Sequence, residues 1–147
     1  MPSGLGKAMR KAQMDWFFGG ATPTPPTNIW VSFHTGDPLD DGSAANEASG
    51  GGYARVNYAL GTTNWNAGTT PSNDAASIVT NKVAIVSPTS SGAWSSSSPM
   101  TFFGLWSLVT AGTFYGRGPV SPGQVISATG QFITIPIGSA QFTNNSS

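Results

Sequence analysis

The sequence predicts a mainly β protein, an antiparallel β-sandwich or jelly-roll-like body with an N-terminal amphipathic helix. Three observations carry this reading. Short runs rich in β-branched and aromatic residues, such as Ile29-Trp30-Val31-Ser32-Phe33 and Met100 to Leu108, recur from Asn28 onward. Clusters of Gly, Pro, Asn and Ser separate them. Only the first twenty residues show a 3.6-residue apolar period.

Ser3 is placed to cap a helix in which Leu5, Ala8, Met9, Ala12 and Trp16 share one stripe, with Lys7, Arg10 and Lys11 largely opposite and Gly19-Gly20 at its end. A helix of about four turns is marginal alone in water, so its Trp16-Phe17-Phe18 end must dock on its own domain or on a neighbouring subunit. Thr22 to Thr27 holds three prolines and reads as an extended tether. Residues 1–27 are therefore expected to form a helix and tether, and 28–147 a β-sandwich domain.

Within that domain, Tyr53 to Leu60 alternates Tyr53, Arg55 and Asn57 against Ala54, Val56 and Tyr58. Ile78 to Val86 reads as one strand. Met100 to Leu108 has the bulk of a central strand buried on both faces, with Gly104 marking a bulge or a close approach. Phe114-Tyr115, Gln124 to Ala128 and Phe132 to Ile137 complete the set, and Pro136 places the last at an edge or a strand end. The segments Asp37 to Gly52, Leu60 to Ala76 and Ser87 to Ser98 are long loops of the kind that work or contact a partner.

Composition narrows the function classes. Only 8% of the 147 residues are charged, and six Lys plus Arg balance six Asp plus Glu, so no field steers the chain onto nucleic acid or an anionic membrane. No apolar run approaches the roughly 18 to 20 residues of a membrane span, and the N-terminal segment lacks a signal-type apolar stretch. The chain has no cysteine, which removes disulfides, thiolate nucleophiles and zinc–thiolate sites together. A surface so poor in charge suits an assembly component, and self-association is expected, with a trimer as the expected form.

The search for chemistry yields little. His34 is the only histidine and is expected to be a strand-end residue bonded to the turn after it. No serine lies in a nucleophile elbow. Asp37, Asp40, Asp41 and Glu47 lie within eleven residues, but their spacing is not that of a calcium loop, and a solvated loop or one facing a basic helix is the simpler expectation. Gly50-Gly51-Gly52 precedes a strand rather than joining a strand to a helix, so it is not a phosphate-binding loop. Arg55 and Arg117 are expected to pair with the acidic loop. Catalytic residues, cofactors and metal sites are accordingly expected to be absent. Trp65 and Trp94, in polar loops, fit an interface better than a sugar platform. The candidate interface is Leu5, Met9, Trp16, Phe17, Phe18, Trp65 and Trp94.

Two segments carry a resemblance. Trp30-Val31-Ser32-Phe33-His34-Thr35-Gly36-Asp37-Pro38, followed by Asn46-Glu47-Ala48-Ser49-Gly50-Gly51-Gly52-Tyr53-Ala54-Arg55-Val56, resembles a family of small virion structural proteins of tailed bacteriophages. Phe102-Phe103-Gly104-Leu105-Trp106 and Phe114-Tyr115-Gly116 are similar to further segments of that family. Ala48, where the family has Val or Leu, and the serine-rich stretch 87–98 depart from it. The resemblance implies a noncatalytic role in the virion, expected first as a capsid decoration or cement protein on the major capsid protein. The alternatives it leaves are a tail or tail-fibre component among tail proteins, or a receptor- or carbohydrate-binding module.

Overall fold

A computed structural model of the protein describes residues 4–68 and 78–143; Ser3 and positions 69–76 of the second long loop lie outside them. The chain forms β1 (Gly4–Leu5), α1 (Lys7–Phe17), β2 (Asn28–His34), β3 (Val56–Ala59), β4 (Ile78–Thr80), β5 (Ile85–Val86), β6 (Met100–Trp106), β7 (Phe114–Gln124), β8 (Thr134–Ile135) and β9 (Gln141–Thr143). Five strands make one antiparallel sheet in the order β1-β7-β6-β2-β3, and the pairs β4-β9 and β5-β8 form two small antiparallel ladders. The architecture is mainly β and sandwich-like, with a single helix near the N-terminus among the described residues.

Side-chain alternation along β2 divides the protein into two layers. Ile29, Val31 and Phe33 point to one face, where they join Phe103 and Leu105 of β6, Val120 of β7 and Tyr58 of β3. The same buried cluster takes in Ile85, Ile133, Ile135 and Phe142, so the small ladders close this face. Phe103 and Phe142 meet edge to face, 5.6 Å between centroids. Gly118, the partner of Phe103 on β7, leaves room for that ring: a β-carbon there would lie 2.6 Å from its Cζ.

The opposite face is built differently. In register, Trp30 stands against Trp106, Ser32 against Gly104 and Gly104 against Arg117, which lines up Trp30, Ser32, His34, Trp106 and Arg117 on one side of the sheet. The loops between β2 and β3 and between β6 and β7 lie over it, as the bonds below show.

Several sequence boundaries change. The helix starts at Lys7, because Leu5 pairs with Gly116 as part of β1. Tyr53 and Arg55 precede β3, their side chains being committed to Glu47. The expected strand 78–86 breaks at Asn81, whose buried amide donates to Val83 and Pro136 carbonyls and accepts from the Ala140 N–H. Phe114 to Gln124 is one strand and Val125 onward is not, since β7 follows β6 across its whole length with two register shifts. Leu108 leaves β6 for an exposed turn. The last predicted strand contracts to β8, with Pro136 just beyond it: Ile133 and Ile135 are buried and Phe132, of the opposite parity, is exposed, whereas Ile137, of the same parity as the buried pair, is exposed because the strand has ended before it.

Candidate functional site

The residues that look most like chemistry lie on the second face of the sheet. Arg55 is buried, and its guanidinium grips Glu47 at both carboxylate oxygens, 2.7 Å from Nε to Oε1 and 2.7 Å from Nη2 to Oε2. Its Nη1 donates to the carbonyls of Leu108 and Ala111, and its plane lies over the Trp106 indole. Tyr53 Oη donates to Glu47 Oε1 at 2.8 Å and accepts from the Phe33 N–H. Trp106 Nε1 donates to Ser32 Oγ at 2.8 Å, and Ser32 Oγ lies 2.7 Å from His34 Nε2.

The electrostatics follow from burial. Burial alone would raise the Glu47 carboxyl, but hydrogen bonds from Arg55 and Tyr53 and the Arg55 charge outweigh it and hold the group below its ordinary range. Burial beside Glu47 pushes the Tyr53 phenol up. His34 is pushed down to about 4, chiefly by burial, with the Arg55 charge adding to it and Glu47 and Asp37 opposing.

Ser32 and His34 are within the distance of a nucleophile and its base, yet both are fully buried. The serine oxygen already accepts from Trp106, and a β-carbon on Gly104 would come within 2.7 Å of it. A substrate carbonyl has no path to that oxygen in this conformation. His34 therefore bonds a serine two residues before it rather than the turn after it, which corrects the sequence expectation. The loop after β2 is fastened instead by Thr35 N–H to the Asn46 carbonyl and by Ala48 N–H to the Phe33 carbonyl.

The acidic loop faces this chain's own cations. Arg117 pairs with Asp37 at 2.8 Å and also with Asp40, while Arg10 of α1 pairs with Asp40 at 2.6 Å. Hydrogen bonds, first from Arg10 and then from Arg117, hold the Asp40 carboxyl below the usual carboxylate range despite the partial burial that opposes them. Among the described residues no group of His, Asp and Glu is arranged to hold a metal ion.

The candidate interface residues divide into two sets. Trp94 and Trp65 are taken into the core. Trp94 is 0% exposed, packs edge to face on Tyr53 at 5.1 Å and donates its indole N–H to the Gly51 carbonyl. Trp65 packs on Tyr58 and Phe142. The Trp94 indole is closed off from a sugar ring or a partner, and Trp65 shows only a small part of itself at the edge of an apolar hollow. Their loops look polar because the apolar partners come from distant segments.

The N-terminal set is different. The root of α1 is stitched to the body: Gly6 N–H bonds the Tyr115 carbonyl, Lys7 N–H bonds the Asp40 carbonyl, and Arg10 Nη1 bonds the Leu5 carbonyl. Its far end is not. Trp16, Phe17 and Phe18 are 57%, 73% and 74% exposed, with Phe17 and Phe18 edge to face at 5.0 Å. Leu5, Met9 and Ala12 form one wall of a groove of about 480 Å³, whose other walls are the proline tether and Ile29, Leu105 and Tyr115 of the sheet. A second apolar hollow of about 370 Å³ continues past Leu5 and Met9 towards Leu60 and Trp65. Sequence amphipathicity found the helix and its tip. The groove was not legible, because the tether and sheet form it only in three dimensions.

Comparison with known proteins bears on the whole of this arrangement. A family model described as podophage GP4 fiber I protein gp80 matches residues 4–143, a span that takes in β1 to β9, the Glu47–Arg55 unit and the N-terminal groove. No curated protein matches the sequence. With almost its full length aligned to that model, the chain belongs to the podophage fiber I protein family and is a structural component of a phage virion.

Proposed function

We propose that the protein is a noncatalytic fibre component of a podophage particle, built into the particle through its N-terminal unit. The family favours a fibre over capsid decoration, so the partners of this reading are tail proteins rather than the major capsid protein. The burial of the Ser32–His34 pair supports the noncatalytic part. The interaction part rests on a single observation: three consecutive aromatic side chains stand mostly in water at the end of a helix that buries none of its own residues. Exposed Trp and Phe at such density mark contact surfaces, since leaving each in water forgoes roughly 1.5 to 3 kcal/mol of burial. The long loops once expected to hold tryptophan anchors contribute no exposed indole, which weighs against a carbohydrate platform built on Trp65 or Trp94.

Particles assembled with a Trp16→Ser, Phe17→Ser, Phe18→Ser variant provide the test. The variant is expected to fold and to be missing from purified virions, and labelling of the wild-type chain is expected on the tail rather than on the shell. Wild-type occupancy of the variant would remove the helix tip from the attachment, and label spread over the capsid surface would return the protein to a decoration role.

A further inference from the structure

We propose that the apolar groove beside α1 is filled by the Trp16-Phe17-Phe18 tip of a second copy of this chain, so that each copy in a closed assembly gives one tip and receives one. The inference deepens the reading of the tip as a contact surface and rests on it, by naming the partner.

Size, charge and area point to this occupant. A cavity of about 150 Å³ takes one benzene ring, and the groove measures about 480 Å³, room for the two phenyl rings of the tip with part of its indole. Its walls hold no charged residue, and neither does the tip. The net charge of zero leaves no long-range repulsion between copies. The tip does not fill its own chain's groove: α1 is itself a wall of that groove, and Trp16 lies on the stripe of Met9 and Ala12 but one turn further on, where it is exposed. Each tip ring has roughly 100 to 180 Å² to bury, so one junction removes about 800 Å² in total, and the two junctions of a reciprocal pair, in which each copy seats its tip in the other's groove, remove about 1,600 Å², the area of a standard stable interface. Reciprocal exchange reaches that area, and a single tip in a single groove does not.

Light scattering on the purified full-length chain at tens of micromolar is expected to show an oligomer, and the Phe17→Ser, Phe18→Ser variant a folded monomer. The absence of native cysteine allows a direct test of the contact. Ala21→Cys marks the chain just past the tip and leaves its rings intact, and Thr113→Cys marks the groove rim, both at exposed positions. On mild oxidation, a mixture of the two single variants is expected to give tip-to-groove disulfides well above the yield obtained when Thr113→Cys is replaced by Thr129→Cys, at an exposed loop away from the groove. A monomeric wild type, or disulfides joining only tip to tip, overturns the inference. A monomeric wild type whose tip variant still fails to enter particles leaves the tip as an attachment to another virion protein. An oligomer formed through the groove whose tip variant enters particles normally overturns the attachment and keeps the self-contact.

Discussion

The guanidinium of Arg55 lies over the indole of Trp106, with Cζ 4.0 Å from the ring centroid. The same guanidinium is bidentate to Glu47, and the same indole donates to Ser32, which meets His34. The two sequence segments that carry the virion-protein resemblance are thus halves of one buried unit: the first supplies Ser32 and His34, the second Glu47, Tyr53 and Arg55. Their shared pattern reports how the loops are fastened over the sheet, and no substrate is needed to account for it.

Arg55→Ala is expected to destabilise the fold by about 3 to 5 kcal/mol, because it leaves the Glu47 carboxylate buried with only Tyr53 as a side-chain donor. Arg55→Lys should recover only part of this, since an ammonium cannot span both carboxylate oxygens and stack on the indole together. Urea titration of both variants measures the difference. Equal stability of wild type and alanine variant would mean that Glu47 reaches water.

Stability should fall as the medium turns acid, starting well above the carboxylate range. The unfolded chain takes up a proton at His34 near its ordinary value of 6.5, whereas the folded chain resists until about pH 4. Stability from this group is therefore complete above about pH 6.5 and is lost progressively down to pH 4, by about 3 kcal/mol. Glu47, held low by Arg55, adds a loss in the same direction at lower pH. A His34→Gln variant should show a flatter dependence between pH 6.5 and 4.5. Parallel urea midpoints for the two proteins across that window would refute the role of the imidazole.

Trp94→Ala should cost about 3 to 5 kcal/mol, the range for truncating a large aromatic in a packed interior. Trp94 is fully buried against Phe33 and Tyr53. A loss below about 1 kcal/mol would instead fit an indole at the surface.

What the sequence made legible follows the range of the forces involved. Strands β2 and β6 were readable because burial on both faces leaves an almost unbroken apolar run, and Gly104 was readable as a close approach because no side chain fits against Ser32 and His34 there. The pairing of Arg55 and Arg117 with acidic residues was legible from the scarcity of charge alone. Strand β7 was legible only at its start, Phe114-Tyr115, since Gly116, Gly118 and Pro119 hide the alternation beyond it, and small residues are there to admit Leu5 and the Phe103 ring. Strand β9 exists only through its pairing with β4. Trp94 sits among serines and glycines in sequence, and its partners Phe33, Tyr53 and the Gly51 carbonyl come from more than forty residues away.

The root and the tip of α1 should behave as separate parts. Deleting residues 1–20 removes β1, the Gly6 and Lys7 amide bonds, the Arg10–Asp40 pair and the partly buried Leu5 and Met9, and it uncovers Leu105, Tyr115 and Phe142. The exposed ion pair contributes little, within about 1 kcal/mol. The two apolar side chains and the edge strand contribute more, so the truncation is expected to lose about 2 to 4 kcal/mol. At a dilution where the wild type is monomeric, so that association adds nothing to its stability, the serine substitutions at Trp16, Phe17 and Phe18 touch only exposed rings and should shift stability by no more than about 0.5 kcal/mol. Thermal or urea unfolding of the two proteins side by side separates the parts. If the truncation unfolds like the wild type, the root is not part of the fold. If the tip variant unfolds as early as the truncation, its aromatic rings are packed on their own domain, and neither the attachment nor the exchange between copies would stand.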